Sequence, residues 1–294
     1  MSEISIIILT LNSISFIKSC LYSIFAQEGF QNFEIIVVDN GSKDDTVSFI
    51  KENYPQIILI ENQTNLGACK ARNQGIEVAK GEWILTLDCD IILEKDFFNK
   101  IIRLTEDPGD SIGMFQPKIL KEDKKTVYSC GMYLSKLRRF YDIGKGKSDN
   151  GQFNITKYIF GACSACALYK RDMLEDIKED TGYFDERFFF LVEDVDLAWR
   201  AQKRGWKALF CPEAVCYHSG NSSNYGKITR QYLCFRNRYY SIIKNEAFKK
   251  IVINFFSPFP YDSLRILYLL FSNSYTLKAI KEIFKFIKNE TKGN

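Results

Sequence analysis

Residues 4–90 switch repeatedly between unbroken apolar runs and helically spaced ones, and few folds accommodate that alternation. Ile4–Leu9 is a continuous β-branched and aliphatic run, as a strand buried on both faces requires. Ile17, Cys20, Leu21, Ile24 and Phe25 follow at helical spacing. Glu34–Asp39 predicts a second strand and Asn40-Gly41-Ser42 a turn. Ser42 with Asp45 three residues on suits a helix N-terminus ahead of Val47, Phe49 and Ile50. Ile57–Ile60 predicts a third strand, Ala68–Ala79 a helix closed by Gly81, and Trp83–Leu87 a fourth strand running into Asp88-Cys89-Asp90. Strands alternating with helices imply a mostly parallel sheet, and right-handed crossovers make it a doubly wound α/β fold. Ligands of such sheets sit outside the carboxyl ends of the strands, where Asn12, Asp39 and Asp88 fall.

Beyond residue 90 the pattern is less regular. Lys121–Lys125 and Gly144–Gly151 read as exposed loops, and Tyr158–Tyr169 as an apolar, small-residue strand. Asp185–Gly205 opens on aromatic residues and becomes helical around Val195–Lys203. Ala208–Cys211 and Ala214–Tyr217 read as short strands. From Tyr225 the chain reads as helices interrupted near Ser257–Pro260. This tail carries 13 Lys/Arg against 4 Asp/Glu, a balance of +9, whereas residues 1–224 carry −5. With 15 Phe or Tyr among its 70 residues, it has the makings of a separate helical extension, 225–294, on a body of 1–224. Basic amphipathic helices bind anionic interfaces, and Arg236-Asn-Arg238-Tyr-Tyr240, Lys249-Lys250 and Tyr268–Phe271 combine cations with apolar surface. The alternative is that these helices pack on the body. No nucleic-acid-binding module accompanies the charge, so a nucleic-acid partner is not expected.

The most apolar stretch, Ile251–Phe271, is broken by Pro258, Pro260, Asp262 and Arg265, which argues against a transmembrane helix. The opening residues lack the basic and apolar regions of a signal peptide, and the nine cysteines are odd in number. A reducing, cytoplasmic compartment is the expectation, with cysteines acting as small hydrophobes.

Three constellations bear chemistry. Asp88 and Asp90, at i and i+2 after an apolar strand, can turn toward one divalent cation; hard oxygen ligands favour Mg²⁺ or Mn²⁺. The alternative is a solvated acidic turn. Glu193-Asp194-Val195-Asp196 follows Phe188-Phe189-Phe190-Leu191, and partial desolvation there raises a carboxylate toward the range of a general base. The same acids also suit a helix N-terminus, so Asp196 can serve the helix while Asp194 faces substrate. His218, the only histidine, follows a strand and acquires a role only if it joins the Asp pair. Cys163-x2-Cys166 and Cys211-x4-Cys216 offer a zinc alternative. Cys163 and Cys166 lie in a strand-like run that points them to opposite faces, and no turn separates them. Glycine-rich dinucleotide and P-loop signatures are absent, as is the nucleophile elbow.

Taken in order, the segments resemble family 2 glycosyltransferases of the GT-A fold, with the rhamnosyltransferase-like enzymes of surface polysaccharide synthesis as the nearest subgroup. The matching segments are Ser5-Ile-Ile-Ile-Leu-Thr-Leu-Asn12, Val38-Asp-Asn-Gly-Ser-Lys-Asp-Asp-Thr46, Asn65-Leu-Gly-Ala-Cys-Lys-Ala-Arg-Asn73 and Gly81-Glu-Trp-Ile-Leu-Thr-Leu-Asp-Cys-Asp90. Gly161-Ala-Cys, Gly182–Arg200, Pro212 and Tyr217-His218 follow. The resemblance spans about residues 4–222. It implies an inverting transferase using a UDP- or dTDP-type sugar donor, a Mn²⁺ or Mg²⁺ cofactor and a glycan or lipid-linked acceptor. It places Thr10 and Asn12 in the first nucleotide loop, with Leu11 where an aromatic is frequent, and Asp39 on the base. Asn65, Gly67 and Arg72 fall on the nucleotide and phosphate side, with Asp88 beside the nucleotide. Asp88, Asp90 and His218 hold the metal, and Asp194 of the Glu193-Asp194 pair is the catalytic base. A sugar nucleotidyltransferase shares such an acidic site, but it usually carries a Gly-rich, basic loop after the first strand, which Thr10-Leu-Asn-Ser-Ile lacks.

Overall fold

The computed structural model describes residues 4–29, 32–106, 109, 111–220, 225–246 and 259–290. Its first half follows the alternation of the sequence. Strands β1 (Ile4–Thr10), β2 (Phe33–Asp39), β3 (Ile58–Glu61) and β4 (Trp83–Asp88) are separated by helices α1 (Ile14–Phe25), α2 (Thr46–Asn53) and α3 (Ala68–Val78). β1 lies between β2 and β4, parallel to both, with Ile4 opposite Phe33 and Trp83; β3 flanks β2. Successive residues of β1 serve opposite layers. Ile6 and Ile8 pack with Ile17, Leu21 and Ile24 of α1, and Ile7 packs with Cys69 and Ile76 of α3. A strand covered on both faces has no polar side to offer, which is why Ile4–Leu9 is apolar throughout. Asp44, rather than Ser42, organises the start of α2. Its carboxylate accepts from the Thr46 N–H and hydroxyl and from the Ile14 N–H, tying the starts of two helices together.

The second half comprises β5 (Ile91–Leu93), α4 (Phe97–Ile102), β6 (Ile112–Lys121), β7 (Val127–Ser129), β8 (Met132–Leu134) and β9 (Phe140–Asp142). It continues through β10 (Lys157–Ile159), β11 (Cys166–Lys170), α5 (Arg171–Asp176), a 3₁₀ turn at Glu186–Phe188, α6 (Glu193–Lys203) and β12 (Lys207–His218). The main sheet runs β10-β12-β6-β11-β4-β1-β2-β3, with β5 pairing β12 and β7 pairing β6; β8 and β9 form a small separate ribbon. β11 is antiparallel to both β4 and β6, and β12 is parallel to β6, so six of the eight strands along that path point the same way.

Two expected elements change. Tyr158–Tyr169 is not one strand: β10 ends at Ile159, β11 begins at Cys166, and a turn lies between them. A turn bond from the Cys166 N–H to the Cys163 carbonyl (3.2 Å) lies in the stretch read as extended, so the opposite-face argument for these cysteines does not apply. Conversely, Ala208–Cys211 and Ala214–Tyr217 are one strand, β12, in which a shift of register between Cys211 and Val215 absorbs Pro212.

The tail contributes α7 (Lys227–Asn245), α8 (Phe259–Ser272) and α9 (Thr276–Glu290). The ring of Tyr240 on α7 stacks on Phe286 of α9 with centroids 4.0 Å apart. Arg236, Asn237 and Arg238 are buried in the body. Arg238 donates to the Arg138 and Leu137 carbonyls (2.9 and 3.1 Å) and pairs with Asp262 (2.9 Å), so these arginines are structural cations and present no charge to a membrane surface. Lys249-Lys250 and the first half of the break read near Ser257–Pro260 lie outside the described residues, and its second half opens α8. Among the described residues no helix is long and apolar enough to cross a membrane.

Candidate active site

Asp88 closes β4, and Asp90 stands just ahead of β5. β5 runs antiparallel to the end of β12, with Ile91 opposite His218. That register brings a histidine 130 residues distant beside the acidic pair. The Ser219 N–H donates to the Asp90 carbonyl (3.2 Å) and the Gly220 N–H to Asp90 Oδ2 (3.0 Å). His218 Nε2 lies 3.1 Å from Asp90 Oδ1 and 3.8 Å from Asp88 Oδ2. One ligand atom from each of the three residues falls within 4.8 Å of the others, and this is the only such group of His, Cys, Asp and Glu among the described residues. The cysteines therefore form no zinc site there. Tyr128 meets the His218 ring edge-on at 4.1 Å and fixes its plane.

Burial raises the Asp88 carboxyl above its ordinary value; Arg72 pulls it down and Asp90 pushes it up again. Two carboxylates crowded in a partly dry site, with an imidazole nitrogen between them and His218 Nδ1 buried without a hydrogen-bond partner, form a donor set that suits a divalent cation. The mixed oxygen and nitrogen donors fit Mn²⁺, and the carboxylates alone fit Mg²⁺.

Arg72, on the face of α3 turned into the cleft, joins this trio to the second acidic pair. Its guanidinium donates to Asp88 Oδ1 (3.1 Å) and to Glu193 Oε1 (2.6 Å), and both Arg72 and Glu193 are buried. Asp194 follows at the first turn of α6. Its Oδ1 accepts from the Val195 N–H (2.9 Å) and its Oδ2 from the Ser164 N–H (3.4 Å). Burial and the neighbouring Glu193 push the Asp194 carboxyl up to about 7. Asp196 does not share this role. It is buried against Arg200 (2.9 Å) and Lys244 (3.0 Å), which hold its carboxyl below the usual range despite burial.

The segment before α6 is unusual. Phe189, Leu191 and Val192 have φ of +66°, +68° and +70°, a region L-residues avoid and β-branched ones most of all. Gly67 makes room for it: with φ +88°, a Cβ there would stand 2.5 Å from the Phe189 ring and 2.7 Å from its carbonyl oxygen. The neighbour of that glycine is thus an aromatic 122 residues away, which neither segment announces alone.

The cleft encloses about 800 Å³. Of the residues singled out in the sequence, Thr10, Asn12, Asn65, Gly67, Arg72, Asp88, Glu193, Asp194 and His218 line it, whereas Asp39 and Asp90 sit behind the lining. Asp39 is buried, and its carboxylate accepts from the Gly41 N–H (3.1 Å), the Ser42 N–H (2.9 Å) and the Ser42 hydroxyl, shaping the loop after β2. Asn12 (φ +49°) cross-links two loops: its N–H donates to Ser42 Oγ (2.8 Å) and its Oδ1 accepts from the Lys43 N–H (2.7 Å). Asn65 Oδ1 accepts from Asn40 (3.0 Å) and the Gly67 N–H (2.9 Å), while its amide donates to the Tyr225 hydroxyl (3.0 Å). Sequence reasoning missed Tyr128, Ser164, Tyr225 and the stretch Arg139–Asp142 with Lys145, all in the wall of the cleft. Only tertiary pairing delivers them, and their local sequence carries no mark of it.

The chain is 26% identical over 192 residues to poly-beta-1,6-N-acetyl-D-glucosamine synthase of Staphylococcus aureus, covering 64% of this chain and 43% of that one. It is 26% identical over 216 residues to the amylovoran biosynthesis glycosyltransferase AmsB of Erwinia amylovora, covering 69% and 63%. The chain thus spans less than half the length of the synthase. Among solved structures, S. aureus TarS superposes with a TM-score of 0.58 at 19% identity, covering 83% of this chain and 40% of TarS. The mannosyltransferase PcManGT of Pyrobaculum calidifontis, solved with GDP-Man and Mn²⁺, superposes with a TM-score of 0.59 at 19% identity, covering 83% and 65%. These likenesses establish the GT-A fold. The sequence profile of Glycosyl transferase family 2 matches residues 5–178, well over half of the chain, which therefore belongs to that family.

Proposed function

We propose that this chain transfers a sugar from a nucleoside-diphosphate donor of UDP or dTDP type to a hydroxyl of a glycan or lipid-linked acceptor, with inversion at the anomeric carbon. Surface-polysaccharide synthesis is the proposed setting, as the names of the synthase and of AmsB suggest. The observation that carries the reading is the meeting of Asp88, Asp90 and His218 with Glu193 and Asp194 in one cleft, joined through Arg72.

In this reading Thr10, Asn12 and Asp39 shape the nucleoside end, with Leu11 supplying aliphatic contact. Asn65, Gly67 and Arg72 face the diphosphate. Asp88, Asp90 and His218 would hold Mn²⁺ or Mg²⁺. Bound there, the cation supplies Lewis-acid stabilisation of the negative charge on the departing diphosphate. Asp194 accepts the acceptor hydroxyl's proton as the new C–O bond forms at the anomeric carbon. The bond from that carbon to the diphosphate oxygen breaks with its electron pair leaving on the diphosphate. A carboxyl near 7 is basic enough to take that proton and still ionised in a large share of molecules at neutral pH. A single in-line displacement inverts the centre, the logic of inverting glycosidases with a sugar hydroxyl replacing water. Residues 1–224 are the catalytic body in this reading and 225–294 a helical extension. On α8, Leu264, Leu267, Tyr268 and Phe271 are exposed at helical spacing, and Lys278, Lys281 and Lys285 are exposed on α9. This surface supports peripheral attachment at the inner face of the cell membrane.

The test is a Mn²⁺-dependent screen of UDP-, dTDP- and GDP-sugars for binding and slow hydrolysis. Asp194→Asn should bind UDP with Mn²⁺ like the wild type and lose turnover by 10²-fold or more, about the contribution of a general base. Near wild-type turnover in that variant overturns the base assignment.

A further inference from the structure

α7 lies beyond the residues matched by the family profile, yet it holds the segment bearing Glu193 and Asp194 from both ends. On the near side, Asn237 is fully buried and donates its side-chain amide to the carbonyls of Phe188 (3.0 Å), Phe190 (2.9 Å) and Leu191 (2.7 Å). An NH₂ group has two hydrogens, so three acceptors share them. Asn237 Oδ1 accepts from Arg236 Nε (2.9 Å), and the same guanidinium donates to the Phe188 carbonyl (2.9 Å), which orients the amide. On the far side, the Lys244 ammonium lies 2.7 Å from Asp185 and 3.0 Å from Asp196, and the Asn245 amide donates to the other Asp196 oxygen (2.8 Å).

Lys244 thus binds on both flanks of the segment and Asn237 within it, where the backbone takes the left-handed conformations of Phe189, Leu191 and Val192. Such conformations persist only where the surroundings over-determine them. Here the surroundings include one amide that collects the carbonyls of this segment. Glu193 and Asp194 follow Val192 directly, so any relaxation of the segment moves them.

We propose that Asn237 is a positioning residue for the reaction: its amide holds 188–192 in the strained form that presents Asp194 to the acceptor. The proposal rests on the reading of Asp194 as the base. It recasts the start of the basic tail as part of the catalytic apparatus, with the surface role left to α8 and α9.

The experiment uses the full chain, UDP with Mn²⁺ as the binding probe, and turnover of whichever UDP-, dTDP- or GDP-sugar the wild type hydrolyses fastest. Turnover is expressed per UDP-binding site. Asn237→Ala is expected to keep the UDP affinity within twofold, to speed amide hydrogen exchange across 188–196 at least tenfold, and to lower turnover per site by about 10²-fold, the scale of an ångström misplacement. A purely structural role would instead lower the number of binding sites and leave turnover per site intact; that result overturns the proposal, as does wild-type exchange across 188–196. Should Asn237→Ala fail to fold, Asn237→Ser keeps one donor and carries the same comparison, with about a tenfold loss expected and the same overturning results. Asp194→Asn is measured alongside. Wild-type turnover there overturns the base reading whatever Asn237 does, whereas an inactive Asp194→Asn beside fully active Asn237 variants overturns the positioning alone.

Discussion

Arg72→Met cuts the link between the two acidic pairs and exposes how the site is held together. Arg72 and Glu193 side chains are each 5% exposed and meet at 2.6 Å, and Glu193 Oε2 is buried without a hydrogen-bond partner. Removing the guanidinium leaves Glu193 with no counter-charge within contact and frees Asp88 to repel Asp90. Breaking a buried pair from one side destabilises by about 3–5 kcal/mol. In a chain of this size that lowers the melting temperature by roughly 10 °C. Arg72→Met combined with Glu193→Leu should recover most of the loss, since replacing both partners with apolar groups of similar volume is often close to neutral. The assay is urea unfolding of the wild type, both single variants and the double variant. A loss under about 1 kcal/mol for Arg72→Met, or a double variant less stable than either single one, would refute the reasoning.

Further outcomes follow from the same geometry. Turnover should fall on the acid side through pH about 7, where Asp194 takes up its proton, and the stability of Asp194→Asn relative to the wild type should rise between pH 5 and pH 8. The sign is set by a folded-state value above the ordinary 3.8: protonation favours the folded form at low pH, and that advantage is lost progressively as pH rises from 3.8 through about 7. Thermal melts of both proteins across pH 5–8 check it. Gly67→Ala should lose about 2 kcal/mol or more, because the φ of +88° and the Phe189 ring both oppose a Cβ; chemical denaturation measures it. Phe271→Glu with Leu267→Glu should halve or abolish cosedimentation with vesicles containing anionic lipid while leaving the melting temperature within a degree or two; equal pelleting removes α8 from the membrane reading.

The half of the fold built from β1 to β4 was legible because β1, β2 and β4 are largely buried on both faces, with β3 as a more exposed edge strand, and each helix between them is short-range and amphipathic. What eluded the sequence depends on distant partners. Pro212 reads as a break between two strands, yet a shift of register lets β12 pass through it and carry His218 to Ile91. Cys163 and Cys166 read as strand residues because nothing local marks the turn that Asp194 joins from α6 through the Ser164 N–H. The acidic residues of the site were visible as two separate local groups, and the family resemblance joined them with each other and with His218. Arg236-Asn237-Arg238 read as solvent-facing cations because composition does not distinguish a guanidinium in water from one bound to buried carbonyls. The charge asymmetry of the tail therefore overstated its surface: Lys244 is spent inside the protein on Asp185 and Asp196 of the body, while Arg236 and Arg238 pair with the tail's own Glu282 and Asp262.

The most direct test of the central claim is proton NMR of the sugar released from an α-linked nucleotide sugar by the wild-type chain, with Mn²⁺ and then with EDTA. Joint action of Asp88, Asp90 and His218 with Asp194 in one cleft predicts a β-configured product that forms only with the cation and is absent from Asp194→Asn. An α-configured product, or equal release in EDTA, would contradict it.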